Sequence, residues 1–119
     1  MQMNKTHRSI FIKEVKEAFP ELRDQINKQY GLLNLEMHAF LDFVQEQINV
    51  GNRENVFKAF QIVERHYKNG NGDLVNAIGV SFLEHLDLGL AKESPSWAVD
   101  VLPVILRQPY EELRKYHGI

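Results

Sequence analysis

Asn34-Leu35-Glu36-Met37-His38-Ala39-Phe40-Leu41-Asp42-Phe43-Val44-Gln45-Glu46-Gln47-Ile48-Asn49-Val50-Gly51 reads as one amphipathic helix. Met37, Phe40, Leu41, Val44 and Ile48 recur at helical spacing and make an apolar stripe. His38, Asp42, Gln45 and Asn49 make a second stripe, polar throughout, which is the wetter face. Asn34 is a candidate N-cap, and Gly51 is placed to end the helix. Asn52 then caps a second run, Val56, Ala59, Phe60, Val63 and Tyr67, with the same spacing. Two helices joined by so short a link run antiparallel, so the pair predicts a helical hairpin.

Toward the N-terminus, Ser9 is a candidate cap for a helix carrying Ile10, Phe11, Val15 and Ala18. Pro20 stops it and opens a mostly polar helix, Pro20 to Tyr30, which Gly31 ends in a left-handed conformation. Residues 1–8 are expected to be a flexible arm. Toward the C-terminus, Asn69-Gly70-Asn71-Gly72 is the strongest break in the chain. Asp73 is the expected cap of a helix from Leu74 to about Leu88, apolar on most sides and therefore expected at the centre. Gly79 inside it suggests close approach of a neighbouring helix. Ser94-Pro95 opens a short helix through Trp97, Val99 and Leu102. Pro103 either kinks that helix or restarts it, and Pro109 opens the last one. The only β-branched cluster, Val99 to Leu106, has Pro103 in its middle, so no strand is expected. The fold class is all-α, a compact bundle of five to seven helices forming one domain over residues 1–119. The similar spacing of its three middle helices also suits a short HEAT/armadillo-like stack.

The chain has 119 residues, 14 Lys+Arg, 16 Asp+Glu, five His and no Cys. The length fits one domain, and the 44% apolar content fits a folded one. Without Cys there are no disulfides, thiolate metal sites or cysteine nucleophiles. A net charge of -2 gives no drive toward nucleic acid. No apolar run is long enough for a membrane span, and Met1 to Arg8 has no secretory pattern, so a cytoplasmic location is expected. Charge is uneven along the chain. Residues 1–30 hold six basic and four acidic side chains, residues 31–102 five basic and ten acidic.

No constellation for catalysis stands out, and an enzyme is the least expected class. His38 and Asp42 share a helix face but lack the H-E-x-x-H pattern of a zinc site, so no metal or cofactor is assigned. His66 and His85 read as polar residues near helix ends, where the dipole favours a protonated ring. Glu111 and Glu112 complement the first turn of the last helix. Glu84 and Asp87 share one face of the apolar helix, as a solvated edge. Ser81 lacks the context of a nucleophile and should bond back to the preceding turn. Trp97 is the best candidate for an exposed anchor.

The run Gly72-Asp73-Leu74-Val75-Asn76-Ala77-Ile78-Gly79-Val80-Ser81-Phe82-Leu83-Glu84-His85-Leu86 resembles a family of small uncharacterised bacterial all-α proteins. Phe19-Pro20-Glu21-Leu22 and the Tyr110-to-Tyr116 tail are similar too. Families of this size and build include immunity proteins that neutralise secreted toxins. The resemblance thus implies a non-catalytic binder of a protein, with no catalytic residues to carry over. The expected contact residues are His38, Asp42, Gln45, Asn49, Glu84 and Asp87, with Trp97 as anchor. Two other classes stay open. One is a small-molecule or metal-binding regulator using His38, Asp42 and His66; the other is a homodimer sharing the helix 74–88.

Overall fold

The computed structural model describes residues 6–29, 31–89 and 97–116. Among them the chain forms seven α-helices: α1 (Arg8–Ala18), α2 (Arg23–Lys28), α3 (Leu33–Asn49), α4 (Arg53–Asn69), α5 (Gly72–Ala77), α6 (Ala98–Val101) and α7 (Val104–Tyr116). No helix of the described residues is long and apolar enough to cross a membrane. The radius of gyration, 14.0 Å, is close to the roughly 13.5 Å of a compact chain of this length.

The α3–α4 hairpin forms as its spacing predicts. Gly51 takes φ 78°, and Asn52 accepts the Asn55 N–H as the cap of α4. Side-chain amides of Asn52 and Asn55 both donate to Gln47 Oε1, at 2.9 and 3.0 Å, which fixes the corner. α1 lies against both helices of the hairpin. Five phenylalanines, at 11, 19, 40, 60 and 82, are wholly buried. The Phe40 ring meets three of the others, 5.7 Å from Phe11, 6.4 Å from Phe19 and 5.4 Å from Phe82.

Several caps fall elsewhere than the residue types suggest. α1 starts at Arg8, where the His7 carbonyl takes the first amides and Ser9 caps nothing. Asn71, not Asp73, caps α5 by accepting the Leu74 N–H at 3.0 Å. α3 begins at Leu33, which leaves Asn34 free of capping, and its Oδ1 accepts the Ser81 hydroxyl at 2.8 Å. Ser81 therefore bonds across to another helix and not back along its own. Pro20 opens a 3-10 turn, Pro20–Leu22, before α2, which ends at Lys28; Gly31 takes φ 85° as expected.

The helix expected over Leu74–Leu88 is the largest departure. α5 lasts six residues, widens into a π-turn at Ile78–Phe82, tightens into a 3-10 turn at Leu83–His85, and stops. The cause is tertiary. Gln45 on α3 clasps the backbone of Asp87, its Nε2 donating to the carbonyl (3.0 Å) and its Oε1 accepting the N–H (2.9 Å). The Leu88 N–H goes to the Tyr110 hydroxyl at 3.2 Å. Groups that would have continued the helix are satisfied by side chains of α3 and α7, so extended backbone costs them nothing. The segment is still central, with Leu74, Ile78, Phe82, Leu83 and Leu86 buried within one chain. With the third helix broken, the chain is an irregular bundle and not a stack of equal pairs.

Gly79 approaches nothing, since a Cβ there meets no atom within 4 Å. The tight glycine is Gly70, where a Cβ would collide with the His66 carbonyl. Gly70 is pinned there because Thr6 pairs with it, giving its N–H to Asn69 and taking the N–H of Asn71, each at 2.7 Å. Of the expected arm, Thr6 to Arg8 is thereby docked, and residues 1–5 lie outside the described residues.

At Pro103 the chain restarts, and α6 and α7 are separate helices. The Arg107 guanidinium holds the corner by donating to the carbonyls of Leu102 and Val99, both at 3.2 Å, which supplies donors to the end of α6. Pro109 lies inside α7 and does not open it, because Leu106 and Tyr110 anchor one continuous buried face. Glu111 and Glu112 are accordingly beyond the first turn of α7. The Ser94-Pro95 start lies outside the described residues.

Candidate functional site

α3 buries Met37, Phe40, Leu41, Val44 and Ile48 and turns His38, Asp42, Gln45 and Asn49 outward, as their spacing requires. The broken end of the central segment lies along that outward face. His38 and His85 rings are 5.2 Å apart between centroids, and Gln45 holds Asp87 as described above. Gln45 Nε2 is also 3.2 Å from Asn49 Oδ1. Asp87 Oδ1 accepts the Gly89 N–H at 2.9 Å, which shapes the turn. Glu84 and Asp87 do not share a helix face, because Glu84 belongs to the 3-10 turn and Asp87 follows its end. Even so, the two segments that carry the expected contact residues form one surface, with His38 and Gln45 on the helix meeting His85 and Asp87 on the turn.

Two shallow hollows flank this ridge. One, of about 260 Å³, lies beside His38 and Asp42 and reaches Lys28 and Leu35. The other, of about 360 Å³, runs between α3 and the 3-10 turn Pro20–Leu22. It is lined by three carboxylates, Glu21, Asp42 and Glu46, with Phe43 and Leu22 beneath and no basic side chain among the described residues. Asp42 is common to both hollows. Glu46 was within reach of sequence reasoning, one turn after Asp42 on the same helix. Glu21 was not, because only the fold brings its helix alongside.

Trp97 is placed elsewhere. It is half-buried against the core, with the Arg53 guanidinium of α4 over its ring at 5.2 Å. That stacking contact is with α4 and not with the α3 ridge.

His66 is corrected most strongly. It lies in the last turn of α4, as expected, but is wholly buried there and not a polar residue facing water. Its Nδ1 is 2.9 Å from Thr6 Oγ1 and its Nε2 3.0 Å from Glu14 Oε1, while Arg65 holds the other Glu14 oxygen at 2.9 Å. Phe11 meets the ring edge-on at 5.2 Å. With both nitrogens engaged, His66 joins the N-terminal segment to α4 and is not disposed to join His38 and Asp42 around a ligand. Glu36 was missed altogether. Buried to 1% exposure, it takes Arg8 in a two-pronged ion pair at 2.6 and 2.7 Å. Its place four residues before Phe40, on the buried stripe, was the available signal.

A family model described as a domain of unknown function, DUF7674, matches residues 12–118. The chain belongs to that family. Comparison with curated proteins found no match, and neither did comparison with solved structures. In this DUF7674 domain the matched span takes in both the α3 ridge and the turn that packs on it, and leaves outside it the start of α1, the residues before it and residue 119. Among the described residues no group of three or more His, Cys, Asp or Glu side chains is placed to hold a metal ion.

Proposed function

We propose that this DUF7674 domain is a protein-binding module without catalysis, and in its sharpest form an immunity-like inhibitor that covers a toxin domain in the bacterial cytoplasm. The observation that carries this reading is the joined surface of α3 and the Glu84–Asp87 turn. Its backbone is clasped in place by Gln45, so a partner meets a surface already in its bound shape and less ordering is needed on association. Its hollow of three carboxylates suits a basic partner. Such a charge pattern raises the association rate and rejects acidic surfaces.

The test is charge reversal on the ridge, using the partner recovered by capture with the tagged chain. Asp42→Lys and Glu46→Lys together should weaken binding at least tenfold, about 1.4 kcal/mol, and flatten its salt dependence. Asp87→Asn, which keeps an oxygen for the Gly89 N–H, should give a smaller loss of the same kind. Unchanged affinity and salt dependence in the double variant would remove the ridge from the interface.

A further inference from the structure

We infer that His38 and His85 form a two-histidine site for a divalent transition-metal ion, zinc, nickel or copper(II). The two residues are 47 positions apart in number, and no sequence motif joins them. The fold sets their ring centroids 5.2 Å apart with planes at 44°. With Zn–N bonds of 2.0–2.1 Å, two imidazoles on one tetrahedral ion have centroids about 5 Å apart. Simple ring packing covers the same separation, so distance alone does not decide. Two further observations do.

The first is chemical. Neither ring makes a hydrogen bond or ion pair to any described residue, and the contact with each other is the one interaction found for both. His66 is the contrast within the same molecule, with both nitrogens taken by Thr6 and Glu14. No described residue thus engages any of the four imidazole nitrogens of the pair, and neutral imidazole is a ligand that suits these ions.

The second is mechanical. Two hydrogen-bonded clasps between the same pair of segments bracket the histidines. Ser81 donates to Asn34 on one side, and Gln45 holds Asp87 on the other. His38 falls between Asn34 and Gln45, and His85 between Ser81 and Asp87. The backbone separation of the pair is therefore fixed before any ion arrives. Preorganisation of this kind is what separates a chelating pair from two nearby surface rings. Asp42, one helical turn beyond His38 and lining the same hollow, adds negative charge beside the ion. With no third ligand grouped there among the described residues, water fills the remaining positions and the ion is exchangeable. This inference stands on the histidine pair and is separate from the protein-binding reading.

The test is calorimetric titration of the whole chain with zinc chloride, repeated with nickel chloride. One ion per chain is expected. His38→Gln and His85→Gln should each weaken zinc binding at least tenfold, and the double variant no further than the weaker single one, since one lost ligand already abolishes chelation. His7→Gln, at an exposed histidine before α1, should bind as the unaltered chain does. Both ligand substitutions lie at the surface, and circular dichroism checks that each variant is folded. Absence of zinc binding at millimolar concentration would overturn the inference. So would either single substitution leaving the affinity within twofold, or a loss confined to His7→Gln.

Discussion

Phe40→Ala should lower the free energy of unfolding by about 3–5 kcal/mol, the cost of emptying a buried aromatic site that cannot collapse. Phe40 is wholly buried and its ring meets those of Phe11, Phe19 and Phe82. These belong to α1, to the corner after it, and to the π-turn of the central segment, so one side chain links three parts of the bundle to α3. Removing it deprives all of them of contacts at once, and rings held by one another do not slide inward to fill the gap. A domain of this size has roughly 5–15 kcal/mol in total, so the variant should be near the limit of folding. Urea unfolding measures it. A loss under about 1 kcal/mol would mean that the rings do not meet around Phe40.

Arg8→Ala should cost about 3 kcal/mol, at the low end of the range for breaking a buried ion pair by removing one partner. The penalty comes less from the lost attraction than from what remains, a Glu36 carboxylate with 1% exposure and no other counter-charge among the described residues. Arg8 itself is 28% exposed, and water reaching that side keeps the figure from rising further. The same reasoning gives a diagnostic companion. Arg8→Met combined with Glu36→Leu replaces the pair by apolar groups and should recover most of the loss, because the orphaned charge is gone. If the double variant is as unstable as Arg8→Ala, packing by the Arg8 stem is what matters, and the carboxylate is not the cause.

The parts of this fold that were legible in the sequence are those decided locally. The stripe Met37–Ile48 buries where its spacing puts it, Gly51 and Gly31 take positive φ, and Asn52 caps α4, because each depends on residues within a turn or two. What escaped was decided across the fold. Leu74 to Leu88 has the composition of one long helix, and nothing in its own residues shows that Gln45 and Tyr110 will take its backbone groups and end it at His85. Asn34 has the chemistry of a cap, yet Ser81 claims it. His66 reads as polar and is buried because Glu14 and Thr6, far away in the chain, meet both sides of its ring. For the candidate site the polar stripe of α3 was readable from period alone, while its pairing with the turn at His85–Asp87 needed the helix break that the sequence conceals. Trp97 looked exposed because nothing in the sequence places Arg53 over it.

Hydroxyl-radical footprinting of the captured complex, with a chelator present to keep metal ions away from the histidines, asks the decisive question of where the partner sits. Leu35, at the edge of the hollow beside His38, and His38 and His85 themselves should lose reactivity when the partner binds. Phe57 and Val104, 52% and 81% exposed beside the α6–α7 corner, should react as in the free chain. Protection of Phe57 and Val104 with an unchanged α3 ridge would contradict the reading, and would move the interface to the apolar surface between α4 and α7.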